Sequence, residues 1–277
     1  MMENEYNKLL VVIVIYNLDI RKCVSLISLN SNRIYTDVIV YDNSLNNLNQ
    51  NQFDDFTYLN IKYVHNADNP GVSKAYNFAA EYAVKNNKAL LLLLDQDTYL
   101  PVDALSKYIA AARFNKDVAL FAPLLKFNDK IYSPCNYYMH KGFHKNSFNA
   151  GINSLKNINF LNSGLLIRVN AFNLTGGYDE NIRLYFSDFE FINRFKTHYK
   201  KYILLDFICL HELASTDKSD LNKALERFKI YCSDAKNASK SFLLKLQYFI
   251  TLGLRAVKLS VYFRSNRFIK VFYTFFL

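Results

Sequence analysis

The first half of the chain alternates between dense apolar runs and segments of helical periodicity. Residues 8–16 (KLLVVIVIY), 36–42 (TDVIVYD), 88–94 (KALLLLL) and 118–123 (VALFAP) are nearly continuous apolar stretches, the pattern of strands buried on both faces. Residues 58–64 (YLNIKYV) alternate weakly and predict a further strand. Apolar residues recur at helical spacing over about Asp19–Leu29 and over 71–86, the latter opened by Asn69-Pro70-Gly71. Pro101 starts another helix, running to about Phe114, because proline suits a first helical turn. Strands alternating with helices over short connections predict a parallel sheet with helices on both faces. Ligands bind such sheets beyond the carboxyl ends of the strands. The positions to inspect are therefore Tyr16 and Asn17, Asp42 and Asn43, and Asp95 to Asp97.

The alternation stops near residue 124. Residues 124–160 are polar, aromatic and irregular, with short strand-like pieces, and His140 and His144 fall there without a role. NFLNSGLLIRV then reads as a strand, TGGYDEN as a turn, 187–199 as a helix, KKYILLDFICLH as a strand and 221–240 as a helix.

With 277 residues, 51% of them hydrophobic and 16% aromatic, the chain has room for a large core and is not disordered. Cys23, Cys135, Cys209 and Cys232 have neither zinc-site nor redox-pair spacing and read as reduced core thiols. The apolar run Leu9–Tyr16 is too short for a secretory signal and follows an acidic start. No stretch reaches the roughly 18 apolar residues of a membrane span. These features give a cytoplasmic expectation. The net charge of +10 is uneven: from Lys236 to Lys270 there are eight Lys or Arg and no acid, while the remaining 26 basic and 24 acidic residues nearly cancel.

Asp95-Gln96-Asp97 follows the leucine run directly. Two carboxylates one residue apart at a strand end can turn into one cleft, and hard oxygen donors suit Mg²⁺ or Mn²⁺ bridging to diphosphate oxygens. An isolated Asp-x-Asp also serves simply to solvate a strand end. The ordered series is more specific. VVIVIYN, VIVYDNS, NPGVSKAYN (Asn69 to Asn77), LLLLLDQDT, NSGLLI, GGYDEN and YFSDFEFINR occur in sequence over roughly 8–215. Together they resemble the family 2 glycosyltransferases of GT-A fold, and LDQD with the Asp-x-Glu helix start looks most like the rhamnosyltransferase branch.

The resemblance implies an α/β GT-A fold with a mostly parallel sheet flanked by helices. It implies a nucleotide diphosphate sugar site of Tyr16, Asn17, Asp42, Asn43, Asn69, Gly71, Asn77, Asp95, Gln96 and Asp97. Asp42 would accept from a pyrimidine N–H, with Asn17 and Asn43 beside it, and Asn69, Gly71 and Asn77 would shape the loop over the nucleotide. Asp97 with Asp95 would hold Mg²⁺ or Mn²⁺, and His211 would complete the metal shell unless it merely caps its strand. Asp188 matches the catalytic base that an inverting transfer needs, its alternative being favourable charge at a helix N-terminus. Ser187-x-x-Glu190 has the form of a capping box, so Glu190 is given mainly a structural role; Asp179-Glu180 either touches the acceptor or, the reading preferred, makes its turn.

The implied reaction is transfer of a sugar from dTDP-rhamnose or a UDP-hexose to a lipid-linked oligosaccharide in bacterial surface polysaccharide (O-antigen or capsule) assembly. The expected organisation is a catalytic domain over 1–215 and a helical extension over 216–277. Within the domain, residues 1–123 would bind the nucleotide and residues 124–215 the acceptor. The basic-aromatic tail fits either an amphipathic helix on an anionic membrane surface or helices packed on the domain. No nucleic-acid-binding module is recognised. A nucleotidyltransferase would place a Gly-rich phosphate loop after the first strand, where this chain reads YNLDIRK. A non-catalytic membrane-associated scaffold of the same fold is the remaining alternative.

Overall fold

The computed structural model describes residues 6–48, 50–143, 148–211 and 220–277. β1 (Leu9–Ile15), β2 (Thr36–Asp42) and β3 (Leu59–His65) pair in parallel. Between β1 and β2 lies α1 (Val24–Ser31). The helix predicted over Asp19–Leu29 is broken here. Asp19 accepts from the Arg21 N–H and closes a 3₁₀ turn at Ile20–Lys22, and Cys23 is extended before α1 begins.

α2 (Val72–Lys85) leads to β4 (Leu90–Asp95), which pairs in parallel with β1. β5 (Thr98–Tyr99) and α3 (Ala104–Phe114) follow. α3 begins one turn later than Pro101 because Pro101 to Asp103 form the preceding turn, with the Ala104 N–H donating to the Pro101 carbonyl at 2.9 Å.

The region read as irregular is mostly short strands. β6 (Leu120–Phe127) turns back into β7 (Lys130–Ser133); β8 (Cys135–Tyr138), β9 (Lys141–Phe143) and β11 (Ile158–Asn159) form a small separate sheet; β10 (Gly151–Ser154) joins the main one. β12 (Leu165–Arg168) runs antiparallel between β4 and β6. α4 (Val169–Leu174), α5 (Ser187–His198) and β13 (Lys201–His211) complete the body, β13 lying parallel to β6. The strand order is β10-β13-β6-β12-β4-β1-β2-β3, a GT-A-like sheet that is parallel along this path except where β12 and β10 enter.

Successive residues of β1 feed opposite sides, as a strand's two-residue period requires. Leu10, Val12 and Val14 pack with α2 and α5, while Leu9, Val11, Ile13 and Ile15 pack with α1 and α3. Covering both faces explains why β1 and β4 contain no polar residue before their last position.

The C-terminal extension consists of α6 (Leu221–Ala238), α7 (Phe242–Tyr262) and α8 (Arg267–Phe275). Its own core, centred on Phe228, Leu252, Phe268 and Phe272, also takes in Ile182 and Phe186 of the sheet-bearing body. Buried Asp234 fixes the junction by accepting the N–H groups of Arg183, Leu184 and Tyr185 at 2.8–2.9 Å. The boundary expected at 215/216 falls in 212–219, outside the described residues, as does His144.

Candidate active site

Parallel pairing brings three strand ends to one edge. Ile15 stands opposite Asp42, and Val14 opposite Asp95. His211, at the end of β13, pairs with Thr98 just past the acidic pair. One ligand atom from each of Asp95, Asp97 and His211 can be chosen so that all lie within 4.8 Å of one another. Two carboxylates and an imidazole are a donor set that fits Mg²⁺ or Mn²⁺.

Hydroxyls hold this cluster in place. The Asp95 N–H donates to Ser163 Oγ at 2.9 Å, Ser163 Oγ meets Thr98 Oγ1 at 2.6 Å, and Thr98 Oγ1 meets His211 Nδ1 at 2.8 Å. Thr98 is fully buried and Ser163 nearly so. His211 Nδ1 also lies 3.3 Å from Asp97 Oδ1. Ser25 binds the loop from the other side, through the carbonyls of Asp95 and Thr98. Gln96 turns away from the cluster and accepts the Tyr16 N–H at 2.8 Å, tying the end of β1 to the acidic loop.

Asp188 approaches from the first turn of α5. Burial raises its pKa to about 7; the Phe189 N–H opposes the rise and the Asp95 charge adds to it. Asp95 and Asp188 also adjoin the same two buried rings. Tyr76 donates to Asp95 Oδ1 at 3.2 Å, Tyr178 lies 5.2 Å from Tyr76, and both phenols are pushed well above their ordinary range, by burial first and by these carboxylates second. Asp188 thus lies within electrostatic reach of Asp95, and the buried Tyr76 and Tyr178 rings feel both charges.

Other expected residues take defined places. Asp42 is fully buried; Oδ1 accepts from the Ser44 N–H at 2.8 Å and Oδ2 from the Tyr63 hydroxyl at 2.7 Å. Beside it, Asn43 is buried with its Oδ1 lacking a hydrogen-bond partner. Asn17 has φ of 48° and donates its N–H to Ser44 Oγ. Asn69, at φ 47°, forms the turn into α2. Gly71 has φ of 92°, and a Cβ there would meet the Arg183 carbonyl oxygen at 2.0 Å. Asn77 is spent on the glycine turn: its amide binds the Tyr178 N–H and carbonyl and Glu180 at 2.8–3.0 Å.

The capping box does not form. Ser187 donates to the Leu184 carbonyl, and Glu190 forms a two-point pair with Arg194 at 2.7 Å. That charge-assisted pair outcompetes a backbone contact. Arg194 in turn holds the carbonyls of Thr175 and Gly177, so Glu190 is structural by another route. Asp179 pairs with Lys240 and binds Asn181 within its own turn. A cavity of about 540 Å³ is lined by Tyr178, Glu190, Arg194, Lys240 and Tyr248 among others, and not by Asp95, Asp97, Asp188 or His211.

Sequence reasoning missed Ser163, Thr98, Tyr76, Tyr178 and Tyr63. The one available signal was their position: Thr98, Tyr76, Ser163 and Tyr178 stand inside the LLLLLDQDT, NPGVSKAYN, NSGLLI and GGYDEN motifs.

The family model described as "Glycosyl transferase family 2" matches residues 10–172. The chain belongs to that family. The matched span of this family 2 chain holds the acidic pair but not Asp188, His211 or the extension. No curated protein sequence matches it significantly. Among solved structures it resembles TarS of S. aureus. The crystal structure of TarS 1–349 shares 18% identity at a TM-score of 0.55, over 86% of this chain and 68% of that one. The same segment in complex with UDP shares 17% at 0.56, over 88% and 70%. A further TarS structure shares 15% at 0.57, over 90% of this chain but 48% of that one. At these identities the likeness concerns the fold.

Proposed function

We propose that this family 2 chain is an inverting glycosyltransferase that moves a sugar from a nucleotide diphosphate carrier to a hydroxyl of a lipid-linked oligosaccharide. The observation that carries the reading is the convergence of Asp95, Asp97 and His211 at the carboxyl edge of the sheet, with Asp188 close enough to feel the Asp95 charge. Asp188 takes the acceptor hydroxyl proton as its oxygen bonds to the anomeric carbon. The bond from that carbon to the diphosphate oxygen breaks on the opposite face, which inverts the centre. A pKa near 7 suits a base that must be ionised yet still attract a proton. Mg²⁺ or Mn²⁺ held by Asp95, Asp97 and His211 would neutralise charge developing on the departing diphosphate.

At the nucleotide end, the pyrimidine N–H is assigned to the Asp42 pocket, which Asn17 and Asn43 line. Asp42 also fixes Ser44 and thereby Asn17. Of the two donors, a UDP-hexose gains support from the TarS structure in complex with UDP; dTDP-rhamnose rests on the LDQD resemblance. We assign the catalytic unit to 1–215 and the extension to 216–277, with the enzyme peripheral at the inner face of the cytoplasmic membrane, serving O-antigen or capsule assembly. The test is UDP or dTDP binding by calorimetry. Wild type should bind in a Mn²⁺-dependent manner and Asp97→Ala should not; binding indifferent to both Mn²⁺ and Asp97 would overturn the site.

A further inference from the structure

We infer that the outer face of α7 is a lipid-contacting surface that seats the enzyme on anionic membrane. The inference rests on the membrane location proposed above and adds the surface, its orientation and its lipid requirement. Leu243, Leu246, Ile250, Leu254, Val257 and Val261 recur at intervals of three and four along α7 and so form one stripe. Each is 44–74% exposed. A helix that only packed on the catalytic body would turn these positions inward. Instead the inward face carries Tyr248, Thr251, Leu252 and Ala256, all buried. A continuous exposed stripe on a helix about 30 Å long is unusual for a surface that stays in water.

Charge selects the occupant. Lys258 is exposed beside the stripe, where its stem can lie along acyl chains while the ammonium group reaches headgroups. No acid occurs after Asp234, so nothing in α7 or α8 repels a negative surface. α8 adds exposed Tyr273 and Ile269 with Lys270 and Arg267. No described helix is long and apolar enough to cross a membrane, which leaves lying on the surface as the way for this stripe to meet lipid. The opposite face of α7 touches the catalytic body: Tyr248 packs on Phe186 at 5.0 Å between ring centres and on His140 at 3.9 Å. Phe186 lies two residues before Asp188. A membrane under α7 is thus separated from the base-bearing segment by about one helix diameter, roughly 10 Å, a reach suited to a lipid-linked acceptor.

The full chain is mixed with phosphatidylcholine vesicles, with and without phosphatidylglycerol, and sedimented. Wild type should bind the anionic vesicles and release in high salt. The double variant Leu246→Glu/Ile250→Glu should bind at least about tenfold more weakly, with its circular dichroism unchanged. Because the chain contains no Trp, Leu254→Trp gives a background-free reporter, and its emission should shift to the blue on anionic vesicles alone. Equal binding to neutral vesicles, no binding at low salt, or an unshifted emission from the Leu254→Trp variant would overturn the inference. So would a lipid-free dimer that the Glu pair dissociates, since a second copy would then cover the stripe. Nucleotide binding is measured on the same samples: lost vesicle binding with intact Mn²⁺-dependent nucleotide binding removes this inference and leaves the catalytic reading standing.

Discussion

Asp188 and Thr98 show how single side chains set the chemistry. Asp188 ionises only as pH approaches about 7, so the kcat/KM of the free enzyme should fall about tenfold per unit below that value. Occupying the Asp95 site with Mn²⁺ cancels the negative charge that helps raise Asp188, so the acid limb should move to lower pH as Mn²⁺ is titrated in. Because the folded pKa lies above the ordinary carboxylate value, stability declines as pH rises through that window. Asp188→Asn should lower turnover roughly 10²- to 10⁴-fold and leave nucleotide binding nearly intact in calorimetry. Thr98 orients His211 from behind. Thr98→Val should weaken Mn²⁺ affinity about 10- to 100-fold, with Thr98→Ser restoring most of it, as read by electron paramagnetic resonance. The acidic pair was legible because two carboxylates close a leucine run. Thr98 was not, because its partner His211 is 113 positions away, and only strand pairing brings them together.

Elements differ in how much of their placement was written locally. β1 and β4 could be read directly, since burial on both faces demands an unbroken apolar run. The break before α1 could not, because a capped 3₁₀ turn keeps the same apolar spacing as a continuous helix. Ser187-x-x-Glu190 misled for a related reason: the motif describes local geometry, whereas the Leu184 carbonyl takes the Ser187 hydroxyl and Arg194 takes the Glu190 carboxylate. Asp234 gives this level its own test. It holds three consecutive backbone N–H groups just before α5. Asp234→Ala strands these buried donors and should cost about 2–4 kcal/mol, seen as a lower Tm, with Asp234→Asn intermediate. Vesicle binding should persist if the extension survives intact and only its junction loosens.

Across the whole molecule, the parallel half followed from periodicity, while β12 did not. A short apolar strand carries no mark of direction, and its antiparallel insertion between β4 and β6 is decided by the sheet. Residues 124–160 were opaque because strands of two to four residues leave little alternation to see. The extension's aromatic, cation-rich composition was visible, but which side faced outward was not, since both sides are apolar. β13 adds a constraint on assembly. It is threaded between β6 and β10 and delivers His211 at its far end. A chain in which β13 has not yet joined the sheet would hold the two aspartates without their imidazole, so the three-residue cluster is complete only in the closed sheet.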